Sequence, residues 1–413
     1  MGTTNKATKQ SASRTKAKAK VGVASIALSI TKWTYWSVMM TLTLILCFIL
    51  LTSAFSDHVS PATWIYPSFL GISFIISAAV AAVWLVLLII LQRWRCAMIL
   101  TITLLICYEP LSRICPLQIF GKPEAETNVI TVDGETNQIP VDSIRLFTYN
   151  TCAMGQTRLS QIKEKIPIID VVRQSGADIV CMQEYAFTLS KGGHTESELR
   201  GRLSDLYPYY DFTPNTNKKA MGIALYSKFP IKKAMRIDKR KTGYFSAMYY
   251  QVEAYGKRIG LINMHLRSNS IQEKDRVLYD EMIDHFEKDS LERIRTGMMR
   301  SLAKAFRSRS EEAVQISRFL QETHPEDMPL IICGDMNDTP VSYCYHTLKH
   351  GMKDLWQEAG RGPGITYRDH HFWFRIDHVF HSPHFKALEA RVRKDILYSD
   401  HYPVQATLQL LKE

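Results

Sequence analysis

Two hydrophobic patterns divide this chain. From Ser37 to Phe55 and from Tyr66 to Leu91 nearly every position is apolar, over a length that lets an α-helix cross a bilayer. Beyond Ser143 the apolar residues instead come in short runs that end in polar groups. These runs predict strands at Ile144 to Tyr149, Asp178 to Gln183, Gly222 to Tyr226, Ser246 to Tyr255, Arg258 to His265 and Leu330 to Cys333. Between the first two, Ile162, Ile166, Ile169 and Val172 fall at helical spacing, so Ser160 to Ser175 is expected to be a helix, with Pro167 marking a kink or a later start. Strands alternating with helices make a layered α/β domain. No repeat of fixed period is present, which excludes a solenoid.

A third apolar stretch, Cys96 to Cys107, is interrupted by Tyr108-Glu109-Pro110. It reaches bilayer length only by including Glu109 and Arg113, an i,i+4 pair. It is either a third crossing or an interfacial or re-entrant segment. Trp33, Tyr35 and Trp36 form an interfacial belt at the entry of the first span. A cleavable signal peptide competes for that span through Thr52-Ser53-Ala54, but the run is long for one and a second span follows. The chain therefore divides into a basic tail at 1–32, a membrane region with two to three helices at 33–120, a Thr/Asn/Gly/Pro-rich linker at 121–142, and a large domain at 143–413.

Charge adds the orientation. The net charge is +11, and residues 1–121 supply +8 of it, so the basic balance belongs to the membrane end and is weak evidence for nucleic-acid binding. The tail is basic, the loop from Ser56 to Ile65 has no Lys or Arg, and Gln92-Arg93-Trp94-Arg95 is a short basic loop. This places the N-terminus inside. Two crossings would leave the large domain in the cytoplasm. Three put it outside, and three are expected: a multi-pass cell-membrane protein with an extracytoplasmic domain.

Polar groups at strand ends carry the candidate chemistry. Leu330-Ile331-Ile332-Cys333 runs into Gly334-Asp335-Met336-Asn337, and strand alternation would place Asp335 and Asn337 on one side. Asn150 and Glu184 end two further runs, His265 lies within a third, Asp377 follows Phe374-Arg375-Ile376, and Asp400-His401 precedes Tyr402-Pro403. A phosphate ester repels nucleophiles because its oxygens are negative, so its hydrolysis needs cationic charge and an oriented water. Glu184 is the best candidate ligand for Mg²⁺, a hard ion that prefers oxygen, and Asn150 can add an amide oxygen or steer Glu184.

In order along the chain, Tyr149-Asn150, Gln183-Glu184, Asn263-Met264-His265, Gly334-Asp335-Met336-Asn337, Arg375-Ile376-Asp377 and Ser399-Asp400-His401 resemble the motif set of the endonuclease/exonuclease/phosphatase superfamily, the deoxyribonuclease-I-like fold. The resemblance covers about residues 143 to 411, and the region ahead of it is similar in layout to that of membrane-anchored bacterial members. It implies a four-layer α/β sandwich of two packed mixed β-sheets flanked by helices, and cleavage of a phosphodiester or phosphomonoester dependent on Mg²⁺, with Mn²⁺ as the alternative. By this resemblance Asp335 orients or deprotonates water, and Asn337 bonds the phosphoryl oxygens. His401 contacts the phosphate with Asp377 fixing its tautomer, His265 stabilises the transition state or leaving group, and Asp400 supports a metal. The substrate could be nucleic acid, a phospholipid headgroup or a small phosphate ester; no protein partner is expected. The competing reading is a noncatalytic membrane-tethered module binding polyanions or headgroups.

Other features are weaker. His370, His371, His378, His381 and His384 crowd one segment, but their spacing matches no compact zinc motif and they are expected at the surface. Cys181 and Cys333 lie in apolar strands and are expected to be buried thiols. Arg293, Arg295, Arg300, Lys304, Arg307 and Arg309 give a predicted helix within Asn269 to Glu322 a solvated basic face, or a contact with headgroups or a polyanion. Tyr244-Phe245 and Phe372-Trp373-Phe374 are expected mostly in the core, with a substrate rim as the alternative.

Overall fold

The computed structural model describes residues 32–116, 127–132, 135–140, 142–155, 166–188, 194–215, 218–237, 246–268, 288–369 and 372–411. Residues 1–31, Tyr244-Phe245, His370, His371 and the start of the expected helix at Ser160 lie outside them. The chain forms two compact units: residues 1–52 with 75–107, and residues 53–74 with 108–413.

The first unit is helical. Helices α1 (Lys32–Ala54) and α2 (Tyr66–Ile90) are long and apolar enough to cross a membrane, and α3 (Trp94–Ile106) follows. Phe48, Ile76, Val83, Ile90 and Leu105 are each more than half exposed, the pattern of helices whose solvent is lipid. Polar groups turn inward instead: the Trp84 indole donates to Thr43 Oγ1 at 3.0 Å.

The second unit contains a turn at Ser56–His58 and the short helix α4 (Tyr108–Ile114). Within residues 121–142, read from sequence as a linker, β1 (Thr127–Val132) and β2 (Glu135–Pro140) pair as an antiparallel hairpin. Their β-branched residues flanking Asp133-Gly134 are a hairpin signal.

Two six-stranded mixed sheets follow. The first contains β3 (Ser143–Asn150), β4 (Ile179–Ala186), β5 (Tyr209–Asn215), β6 (Lys218–Ser227), β15 (Phe385–Val392) and β16 (Val404–Leu410), in the order β15-β16-β3-β4-β6-β5. The second contains β7 (Ile231–Arg236), β8 (Ser246–Ala254), β9 (Lys257–His265), β10 (Leu330–Asp335), β11 (Lys353–Asp354) and β14 (Asp377–His381), in the order β11-β14-β10-β9-β8-β7. A small hairpin joins β12 (Tyr367–Asp369) to β13 (Phe372–Phe374). The pairs β3/β4 and β9/β10 are parallel, and each requires a crossover. That after β3 includes α5 (Pro167–Gln174), which starts at Pro167, where the missing N–H costs no helix hydrogen bond.

Alternation builds three cores. Ile144, Leu146, Cys181, Leu261, Ile331 and Cys333 meet between the sheets. Phe147, Tyr149, Val180 and Met182 face the outside of the first sheet, under α5 and α6 (Glu196–Gly201). Ile262, Met264 and Ile332 pack beneath α7 (Lys288–Thr323) and α8 (Tyr343–Lys349), while α9 (Leu355–Ala359) caps one end. The result is helix, sheet, sheet, helix: the four-layer sandwich.

Three expectations change. Arg309, placed on a solvated face, is 1% exposed. Its Nε donates to Asp338 Oδ2 at 3.1 Å and its Nη1 to the Arg267 carbonyl at 3.0 Å. His378 and His381, expected at the surface, are buried in β14 because that strand is internal to its sheet. Trp373, expected in the core, is 65% exposed on β13.

Candidate active site

Register brings the polar strand ends together. Asn150 pairs with Gln183 across β3/β4, and Asp335 is flanked by His265 on β9 and Asp377 on β14. On the inner face the apolar layer ends in a buried polar one. Gln183 Nε2 donates to Asn263 Oδ1 at 2.7 Å, tying the two sheets together, and the Asn263 amide donates to the Met182 and Ala224 carbonyls. These residues belong to the sequence motifs, yet their side chains brace the site from below.

The site centres on one oxygen, Asp335 Oδ2. Asn150 Nδ2 donates to it at 2.8 Å and Asn337 Nδ2 at 3.1 Å; His265 Nε2 lies 3.5 Å away and His401 Nε2 3.8 Å away. Asp335 Oδ1 accepts from the Asn337 backbone N–H at 2.7 Å. Asn337 comes to this side through its own left-handed backbone (φ 53°), since the strand has already ended at Asp335. Its amide also donates to the Leu266 carbonyl at 3.0 Å.

Glu184 is aimed by a β-bulge. The β4/β6 register shifts between Met182 and Tyr185, and Glu184 itself has φ 49°. Its Oε1 lies 3.7 Å from His265 Nε2, and 30% of its side chain stays exposed. Cys152, Ala153 and Met154, just after Asn150, are also left-handed. Such backbone strain concentrates at sites where geometry is imposed by the surroundings.

His401 is held by Asp377, with Nδ1 2.8 Å from Oδ2, leaving Nε2 toward Asp335. Ser399 Oγ accepts from the His401 backbone N–H at 3.1 Å and lies 2.8 Å from the Asn150 carbonyl, fastening this loop to β3. Burial alone would push the His401 imidazole down, but the charges of Asp377 and Asp335 outweigh it and hold its pKa at about 10. Burial dominates for Asp335; with Asp377 beside it, and against the pull of His401 and His265, its pKa is pushed up to about 6.

Of the residues singled out from sequence, Asn150, Glu184, His265, Asp335, Asn337, Asp377 and His401 converge here. Asp400 makes its side-chain contacts with Ser399 and Cys152 instead. The donor set suits a divalent cation. Asp335, Asp377 and His401 bring ligand atoms within 4.8 Å of one another, while His265 Nε2 and Asp377 Oδ1 are buried with no hydrogen-bond partner. Among the described residues, the crowded histidines are engaged elsewhere: His378 Nε2 by the Asp338 carbonyl and Nδ1 by Arg375, and His381 by Glu358 and the Ser382 carbonyl.

Sequence reasoning missed the residues that hold the loop after Asn337. Arg309 grips Asp338 from one side, and Arg375–His378 reaches its carbonyl from the other. Arg375 Nη2 also donates to Asp354 at 3.1 Å and to the Arg113 carbonyl on α4. Only Arg375 carried a signal, its place two residues before Asp377.

Comparison with known proteins bears on the same region. The model of the Endonuclease/Exonuclease/phosphatase family matches residues 148–401, and a domain of unknown function (DUF8431) matches residues 36–114. An endonuclease/exonuclease/phosphatase from Bacteroides vulgatus is 20% identical, with 65% of this chain and 99% of that one covered at a TM-score of 0.46. The human Nocturnin catalytic domain is 18% identical over 65% and 94% (TM-score 0.47), and a humanized D. rerio TDP2 is 14% identical over 65% and 99% (0.45). No curated protein sequence matches the chain. The family model spans well over half of the chain and takes in every strand end from Asn150 to His401 that meets at Asp335; this protein belongs to the endonuclease/exonuclease/phosphatase family.

Proposed function

We propose that this protein is a membrane-anchored phosphoesterase that uses a divalent cation, Mg²⁺ or Mn²⁺, and a water activated at Asp335. The observation that carries the reading is the convergence of Asn150, Asn337, His265 and His401 on Asp335 Oδ2. A carboxylate with a pKa near 6 is ionised at neutral pH and still basic enough to take a proton from water. Asn150 and Asn337 fix its direction.

His401, kept protonated by Asp377, offers Nε2–H to a phosphoryl oxygen and supplies positive charge where negative charge grows. His265 Nε2, with no partner of its own, faces the same region and would contact the phosphate or leaving group. Both hydrogens of the Asn337 amide are engaged by Asp335 and Leu266, so Asn337 acts on the carboxylate rather than directly on phosphate. Glu184 and the remaining Asn150 Oδ1 lone pair would hold the cation, whose binding would polarise the phosphoryl group; His401, as an imidazolium, would not be a ligand although it stands in the cluster with Asp335 and Asp377. Asp400 would support the cation only indirectly.

Counting the bent third apolar stretch as one span gives three crossings. Residues 53–74, the end of α1, the loop after it and the start of α2, belong with the catalytic domain, as does α4. Asp57 Oδ2 and Arg113 Nη1 pair at 2.5 Å. With three crossings and the basic tail inside, the domain would be extracytoplasmic.

The test is the full chain in detergent with bis(p-nitrophenyl) phosphate and p-nitrophenyl phosphate, each with Mg²⁺, Mn²⁺ or EDTA. Metal-dependent release that disappears in Asp335→Asn and Glu184→Ala is expected, and the preferred compound separates diesterase from monoesterase. Release insensitive to both substitutions would sink the assignment. Nucleic-acid and phospholipid-vesicle panels then separate the substrates, nuclease binding being steeply salt-dependent.

A further inference from the structure

We infer that Asp57, His58 and His346 form a second cation site, for a borderline ion such as Zn²⁺, that fastens the loop between α1 and α2 to helix α8. All three residues lie in the second unit, and their ligand atoms fall within 4.8 Å of one another. The inference is independent of the proposed catalysis.

Asp57 is 1% exposed, and its two oxygens are not equivalent. Oδ2 is paired with Arg113 Nη1 at 2.5 Å, whereas Oδ1 is buried with no hydrogen-bond partner. A buried carboxylate oxygen without a donor is an unusual thing for a fold to keep. Two imidazoles stand beside it: His58 Nε2 is 3.7 Å from Oδ1, and His346 Nδ1 is 3.7 Å from Oδ2. Hydrogen bonds between such groups run at about 2.7 to 3.2 Å, so neither ring is bonded to the carboxylate. Bonds of about 2.0 to 2.1 Å to a shared tetrahedral ion put neighbouring ligand atoms about 3.4 Å apart; here the three ligand atoms lie within 4.8 Å of one another, so a small closure of the rings onto Oδ1 would complete the site.

The donors select the ion. Two imidazoles and one carboxylate suit Zn²⁺ and its neighbours, whereas Mg²⁺ prefers an all-oxygen shell. The His58 side chain is 53% exposed and that of His346 36%, so the site opens to solvent and a water would complete the shell. Arg113 leaves the carboxylate near neutral overall, which limits affinity without occupying Oδ1. The ion would clamp a membrane-proximal turn to the helix that follows the catalytic loop.

The test titrates Zn²⁺, and Co²⁺ as a spectroscopic reporter, into the full chain in detergent with excess Mg²⁺. Wild type is compared with His58→Ala, His346→Ala and Glu184→Ala. The expected result is one Co²⁺ with a visible absorption band in wild type and Glu184→Ala. The band should be lost in His346→Ala and its affinity weakened at least about 10-fold in His58→Ala. Because His58 is exposed, its variant should keep the wild-type melting temperature without metal and lose only the rise on adding Zn²⁺. Equal binding by wild type and both histidine variants, or loss of the band in Glu184→Ala alone, overturns the site.

Discussion

Replacing Asp377 by Asn is the sharpest probe of the catalytic assignment, because it removes a charge and preserves the shape. In the wild type both partners are more than nine-tenths buried and 2.8 Å apart. Moving His401 from its ordinary 6.5 to about 10 corresponds to about 5 kcal/mol in favour of the imidazolium at 1.36 kcal/mol per unit. Asp377 is the foremost of the groups that raise it, with Asp335 next. A contacting carboxylate typically accounts for about 1 to 3 units of such a shift, and the burial that opposes it is untouched by the substitution. The folded-state pKa is raised, so this contribution to stability is fully present below 6.5 and is lost as pH rises through about 10. The variant should therefore be less stable than wild type at neutral pH, with the gap closing in strong alkali. If protonated His401 assists the reaction, the alkaline limb of kcat/KM at saturating metal should move toward acid by at least about 1 unit. Histidine NMR titration of the same variant reports the group directly. An alkaline limb unmoved by the substitution, with His401 shown to titrate lower, would refute its role as the phosphate donor; an unshifted His401 would refute the electrostatic account.

Other outcomes follow from the same geometry. Activity should fall as pH drops through about 6, where Asp335 takes its proton, and Asn150→Ala should move that limb to higher pH, since the Asn150 hydrogen bond is one of the interactions lowering the Asp335 pKa; a pH–rate profile checks both. Arg309→Met leaves Asp338 buried without its cation and should cost about 3 to 5 kcal/mol in denaturant unfolding, far more than loss of an exposed pair. Gly334→Ala would put a Cβ 2.0 Å from the Met264 carbonyl oxygen at a backbone φ of 130°, and should destabilise by at least about 3 kcal/mol or abolish folding, read as soluble yield and melting temperature.

What the sequence could disclose depended on how far apart the interacting residues lie. Six strands were legible because period-two alternation is local, and Asn150 and Asp335 were legible because each stands at the end of such a run. Glu184 was identified as a strand-end acid, but the bulge that turns it toward His265 has no local signature. Arg309 was misplaced for a physical reason. Its neighbours Lys304 and Arg307 are exposed, and the acid that draws Arg309 inward, Asp338, lies beyond the end of the helix. His378 and His381 were misplaced likewise, because being in an internal strand is a property of the sheet, not of the strand.

A contact with no local signature is the one from Arg375 to the Arg113 carbonyl, across 262 residues of sequence. It implies that the catalytic unit does not begin where the soluble sequence does. Arg375 is 5% exposed, and its Nε already lacks a partner. A chain cut after α4 would also deprive Nη2 of its carbonyl acceptor and leave Asp354 and His378 to hold the guanidinium. Helix α4 is thus part of the support beneath His378 and Asp338. A fragment of residues 122–413 should accordingly show a lower kcat than the full chain at similar KM. Equal kcat for the two would mean that α4 only rests against the domain.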